Sequence, residues 1–208
     1  MAKVGDVFIN CPFDEDYQRH FRALVFCLLY CGARPRSALE VDDGSEVRIG
    51  KVIRIIGESP YGIHDLSRTD PDPASGLPRF NMPLELGLFL GAKHFGGPRQ
   101  RVKACIIFDR ERYRYQRFCS DIAGQDIRAH GDNEAQLIRG VRDALRTWHP
   151  DRELPGGGLI HRRYREFTEH LPRLAAEVGL EPQELTFRDL LTMVAEWLRT
   201  DAPESVSP

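Results

Sequence analysis

Short apolar runs alternate with longer segments of helical periodicity over the first 150 residues, and that alternation limits what the chain can fold into more than any other feature. Val4–Cys11 reads as a buried strand. Asp14–Cys31 follows as a helix with Phe21, Leu24, Val25, Leu28 and Leu29 on one face, and Gly32 stops it. Pro35–Leu39 reads as a second strand, which Pro35 confines to its own first position or to a sheet edge. Ser45–Gly57 has helical spacing, with Val47, Val52, Ile53, Ile55 and Ile56 as its expected buried face. Tyr61–Leu66 is a third strand, and a polar loop with three prolines runs from Ser67 to Phe80. Met82–Lys93 is a third helix and Val102–Asp109 a fourth strand. Glu111–Phe118 reads as helical, Asp126–Ala129 as a short fifth strand and Asn133–Trp148 as a further helix.

Strands joined through helices pair in parallel, with the helices covering both faces of the sheet. The predicted fold is therefore α/β: a flavodoxin-like parallel sheet of about five strands over residues 1–150. Its centre is expected to be strands one, three and four, the most continuously apolar runs. Pro150–Gly158, with two prolines and three glycines, marks a boundary. Beyond it, residues 151–208 form a helical extension, with helices near Arg162–Val178 and Phe187–Arg199 and a frayed end at Ala202–Pro208. Leu171, Leu174, Leu190, Leu191, Val194, Trp197 and Leu198 make stripes too large for two lone helices to hide. They are expected to pack on the sheet domain or on a second subunit, so a homo-oligomer is the expected assembly.

Composition narrows the partners. An apolar fraction of 41% and a charged fraction of 29% suit an ordinary globular chain. A net charge of −2 gives no global basic field, so nucleic acid is not an expected partner. The interleaved Arg110, Arg112, Tyr113, Arg114, Tyr115, Arg117 and Phe118 can track and stack a single strand. A solvated arginine face on an amphipathic helix is the simpler account. No run approaches the roughly 20 apolar residues of a membrane span, and the N-terminus passes straight into a strand without a signal-peptide pattern. A cytoplasmic protein is expected. Five cysteines, an odd number with no CxxC pair, argue against a disulfide framework or a zinc site. No metal site is predicted, and Cys27 and Cys31 are expected to behave as core hydrophobes.

Parallel sheets place their sites outside the carboxyl ends of the strands. That rule selects the loops after Cys11, Leu66 and Asp109. In Asn10-Cys11-Pro12-Phe13-Asp14, a helix N-terminus offers free backbone N–H groups to a phosphate, while Asp14 alone is as simply a helix cap. In His64-Asp65-Leu66-Ser67-Arg68, neighbours on a strand face opposite ways, so only one of His64 and Asp65 can enter a given cleft. Asp65 is the favoured one, with Arg68 as a phosphate ligand. The alternative is that Asp65 and Ser67 only satisfy turn groups. In Asn81-Met82-Pro83-Leu84-Glu85-Leu86-Gly87, Pro83 suits a first helical turn and Glu85 falls at about the third helical position, where a capping box would also explain it. Gly87 and Gly91 are expected to let this helix lie close on the sheet. Phe13, Phe80 and Met82 are expected to line the cleft and stack a base.

These segments resemble the TIR-like and nucleoside 2-deoxyribosyltransferase-like superfamily. The resemblance is carried by Phe8-Ile9-Asn10 with Phe13-Asp14, by Asp65-Leu66-Ser67, and by Asn81 with Leu84-Glu85-Leu86-Gly87, over about residues 4–130. Pro83 departs from the aromatic or small residue frequent in that family, and the segment after Pro155 has no counterpart in it. The resemblance implies cleavage of N-glycosidic bonds in nucleosides or NAD. Glu85 would be the nucleophile or the stabiliser of the sugar cation, Asp65 would orient the ribose, and Asn81 would line the pocket. Asn10, Phe13, Asp14, His64, Ser67, Arg68 and Met82 complete the expected binding set. The expected reading is an N-glycosidase acting on NAD, a nucleotide or a nucleoside as substrate, with no cofactor, in a defence or signalling effector. The alternative is a nucleotide-sensing module that does not turn over.

Overall fold

The computed structural model describes residues 4–71 and 76–200. Five strands form one sheet: β1 (Asp6–Asn10), β2 (Arg34–Ser37), β3 (Tyr61–Asp65), β4 (Ala104–Asp109) and β5 (Ile127–Ala129). Their order is β2-β1-β3-β4-β5, and every neighbouring pair is parallel. The helices are α1 (Gln18–Tyr30), α2 (Arg48–Glu58), α3 (Asn81–Phe95), α4 (Pro98–Arg101), α5 (Glu134–Trp148), α6 (Gly157–Glu177) and α7 (Phe187–Thr200). The expected flavodoxin-like α/β architecture is thus present. The three most apolar strands are its interior, and β2, with Pro35, lies at an edge where a missing N–H costs no ladder bond.

Alternation along the strands divides the core. Val7, Ile9, Ile63, Ile106 and Phe108 face α1 and α5, whereas Phe8 faces Val52, Ile55, Ile56 and Phe89 of α2 and α3. A third apolar group of Leu66, Met82, Leu86, Ile107 and Tyr115 continues this second face. Helix α1 is buried almost all round, because α6 and α7 cover the side turned away from the sheet. Phe26 packs against Phe167 at 5.5 Å, and against Tyr164 and Trp197 at 5.7 Å each. Leu171, Leu190, Val194 and Trp197 sink into the same core, with Leu174, Leu191 and Leu198 at its margin. Each large apolar side chain buried there contributes about 1.5–3 kcal/mol, which ties the C-terminal helices to the sheet. Cys11, Cys27 and Cys31 are buried as free thiols.

Several local expectations need correction. Helix α2 begins at Arg48, so Val47 lies outside it and is 73% exposed; Ile53 is 51% exposed. The buried stripe is Val52, Ile55 and Ile56, and Ile53 stands one step off that spacing. The stretch Glu111–Phe118 holds only a 3-10 turn, Arg114–Arg117, which Tyr113 enters with a φ of 64°. Helix α6 starts at Gly157, so the boundary break ends sooner than its glycines suggest. Residues Ala202–Pro208 lie outside the described residues.

The glycine argument for α3 also fails. Gly87 is exposed, with open space where a Cβ would stand, and the nearest group to a Cβ on Gly91 is Phe95 of the same helix at 3.9 Å. The close approach is made from the sheet. A Cβ on Gly62 of β3 would stand 2.9 Å from the Phe89 ring and 2.7 Å from His64 Nε2, so only glycine lets α3 settle there.

Candidate functional site

In this strand order the topological switch lies between β1 and β3, and the N-terminal turns of α2 and α3 meet beside it. Helix α3 starts at Asn81, and its cap residue Phe80 makes no side-chain cap bond. Glu85 is therefore the fifth helical residue, beyond the first turn, and no capping box includes it. Pro83 sits at the third position, where its missing N–H breaks no intrahelical bond. Glu85 is 7% exposed. It lines a cavity of about 270 Å³ with Asn81 and Leu84 of α3 and Arg48, Ile49 and Val52 of α2. Burial pushes its carboxyl up to about 7, and the Arg48 guanidinium, a smaller influence, pulls the other way.

Asn10 fixes the first turn of α3. Its Nδ2 donates to the Met82 carbonyl at 2.8 Å and to His64 Nδ1 at 3.0 Å. Accepting at Nδ1 leaves the His64 proton on Nε2. Burial, with a smaller push from Lys103, lowers this imidazole to about 3, so it is neutral. The Met82 side chain packs under α3 with Leu66, Leu86 and Ile107. Asn10, His64 and Met82 thus hold the helix that carries Glu85, and none of them lines its cavity.

Asp65 faces the other side of the sheet, as strand alternation requires. Its Oδ2 accepts the Tyr17 hydroxyl at 2.6 Å, and its Oδ1 accepts the Ser67 N–H at 2.8 Å. His130 Nε2 stands 3.2 Å from the same Oδ2, near enough to pair but poorly aligned. Burial alone would raise the Asp65 carboxyl; His130, Tyr17 and Ser67 hold it below its ordinary value. The Tyr17 hydroxyl is pushed well up, by burial first and then by the Asp65 charge. The buried Cys11 thiol is raised well up too, by burial first and then by the charges of Asp65, Glu85 and Asp14. Asp65 does not line the Glu85 cavity. Its bond to the Ser67 N–H satisfies the turn that leaves β3.

The remaining expected residues spread out. Asp14 caps the 3-10 turn Glu15–Tyr17 by accepting from the Tyr17 N–H at 3.1 Å. It also pairs with Arg79 at 3.6 Å and with Arg68 at 3.8 Å, and Arg68 pairs with Asp16 at 3.2 Å. The guanidinium expected to bind phosphate is thus held between carboxylates. Phe13 packs edge-on against Phe21 at 5.5 Å and borders a different depression, beside Phe187 and Leu190. Phe80 is 58% exposed. The stacking cleft of Phe13, Phe80 and Met82 is not formed, because two of these side chains are drawn into separate apolar groups. Ser67 is buried beneath its turn.

Three residues of the carboxyl edge escape the sequence reading, Tyr17, Arg48 and His130, and a fourth, Arg114, takes a role other than the one expected of it. Arg114 donates to Asp109 Oδ1 at 2.8 Å and to the Leu66 carbonyl at 2.6 Å, and it pairs with Asp70 at 3.2 Å. Arg114 and Tyr115 are both buried, so the Arg-aromatic run is neither a continuous strand-tracking strip nor a solvated face. Arg48 and His130 follow the second and fifth strands, and the carboxyl-edge rule, applied to those loops as well, would have found them.

No protein-family model matches the chain, and no curated protein matches it. Among the described residues, no helix is long and apolar enough to cross a membrane.

Proposed function

We propose that this chain is an N-glycosidase acting on NAD, a nucleotide or a nucleoside, with Glu85 as the working carboxyl. One observation carries the reading: a nearly buried glutamate, its carboxyl raised by burial to about 7, lines a cavity between the N-terminal turns of α2 and α3. Breaking a base–ribose bond sends the electron pair out with the base nitrogen and leaves an oxocarbenium-like sugar. An ionised Glu85 would face that cation until water adds to it. Arg48 and Asn81 line the same cavity; in this reading Arg48 would meet a phosphate or hydroxyl of the substrate, and Asn81 would bond the sugar. Asp65 serves as a buried anchor that shapes the end of β3 rather than as a ribose ligand.

A sensing module without turnover is the second reading. It is favoured by the lining of the cavity, in which, among the described residues, Glu85 has no second acid or base beside it to serve as its partner in hydrolysis. Incubating the full chain with NAD, nucleotides and nucleosides, and measuring free base, separates the two. The glycosidase reading expects release that rises with pH through about 7, as Glu85 ionises, and that falls by orders of magnitude in Glu85→Gln. Ligand binding without base release at any pH would favour the sensing module. Wild-type release by Glu85→Gln would remove Glu85 from the chemistry.

A further inference from the structure

On the far side of the sheet from Glu85, two histidines and an aspartate converge from segments more than a hundred residues apart. His20 lies in the first turn of α1, and His130 and Asp132 lie in the turn that leaves β5. One donor atom from each falls within 4.8 Å of the other two. His20 is 2% exposed, and neither of its ring nitrogens has a hydrogen-bond partner among the described residues. An imidazole buried in that state gives up about 1–3 kcal/mol unless something else satisfies it. The His20 and His130 rings lie 5.4 Å apart, and His130 is fully buried.

From this juxtaposition we infer that His20, His130 and Asp132 form a binding site for a divalent transition ion of the zinc type. Two imidazoles and one carboxylate suit zinc and its neighbours, whereas calcium and magnesium prefer all-oxygen sets. Three protein donors leave a fourth position for water or a ligand. The surroundings of His130 match a ligand's needs. Its Nε2 faces the Asp65 carboxylate at 3.2 Å, the outer partner that metal-binding histidines usually have. Its Nδ1 faces Asp132, whose N–H it accepts at 3.1 Å, and a metal would take that lone pair. Asp132 is exposed and gives the ion a way in. A ligand–metal–ligand path is about 4 Å long at most, so small side-chain rotations bring the three donors onto one ion. Bound there, the ion would clamp the β5 turn to α1. The inference does not depend on the role of Glu85.

The test uses the full chain, stripped with chelator and dialysed, then titrated with zinc by calorimetry and with cobalt(II) as a visible reporter. The expected result is one equivalent bound, a zinc-dependent rise in melting temperature, and visible cobalt bands without thiolate charge transfer. Two variants report on the ligands. His20→Gln removes a side chain with no protein hydrogen bond, and Asp132→Asn keeps a residue type that tolerates the Asp132 φ of 52°. Each should weaken zinc by roughly a hundredfold, at or above the loss caused by removing an outer partner. No binding by the wild-type chain overturns the inference. So does wild-type affinity in either folded variant, which would place the ion on surface histidines or thiols.

Discussion

Glu85 and Asp65 are both buried acids at the carboxyl edge of one sheet, and their surroundings drive them apart. Asp65 accepts from Tyr17 and Ser67 and faces His130, so its charge is compensated on every side. Glu85 has a cavity and one opposing influence, that of Arg48, which is smaller than burial, so burial decides its state. The difference teaches that depth alone does not poise a carboxyl. A buried acid with partners becomes a fixed anion that holds structure, and a buried acid without them becomes a group able to change charge near neutral pH.

The largest expected effect lies on the compensated side. Asp65→Ala leaves Tyr17, His130 and the Ser67 N–H without their shared acceptor, and should cost about 3–5 kcal/mol in urea unfolding at neutral pH. A loss below about 1 kcal/mol would show that the cluster does not hold the end of β3 and would dissolve the contrast with Glu85.

A smaller effect of opposite sign is expected at Glu85. Its carboxyl is raised from 4.5 to about 7. The unfolded chain releases this proton from about pH 4.5 upward, and the folded chain keeps it until about pH 7. The stability this residue allows is therefore full below about pH 4.5, declines as pH rises to about 7, and stays lost above that. Glu85→Gln should stabilise the protein by about 2–3 kcal/mol at pH 8 and by almost nothing at pH 4, read from unfolding curves at the two pH values. The same gain at both pH values would point to packing rather than to the charge.

Much of this contrast was legible in the chain, and the rest was not, for physical reasons. Strands β1, β3 and β4 announce themselves because both of their faces are covered, which forces continuous apolar runs such as Val7–Ile9 and Ile106–Phe108. The carboxyl-edge rule then reaches Asp65 and the loop before Glu85. Alternation says that His64 and Asp65 part company, but it does not say which side Glu85 takes. That depends on α3 resting on the His64 face through Gly62 and Phe89, a contact between distant positions that no local pattern marks. The exposure of Ile53 and the open space at Gly87 escape for a related reason: an apolar residue or a glycine in a helix does not reveal which neighbour, if any, lies opposite. Tyr17 and His130 meet Asp65 only after the crossings through α1 and β5 are complete.

The most direct measurement is a carboxyl-carbon NMR titration of the uniformly labelled full chain, with Glu85→Gln and Asp65→Asn spectra to assign the two signals. The account predicts that Glu85 titrates near 7 and that Asp65 titrates below the ordinary 3.8 in the same sample. A Glu85 signal that titrates at its ordinary value of about 4.5 would contradict it.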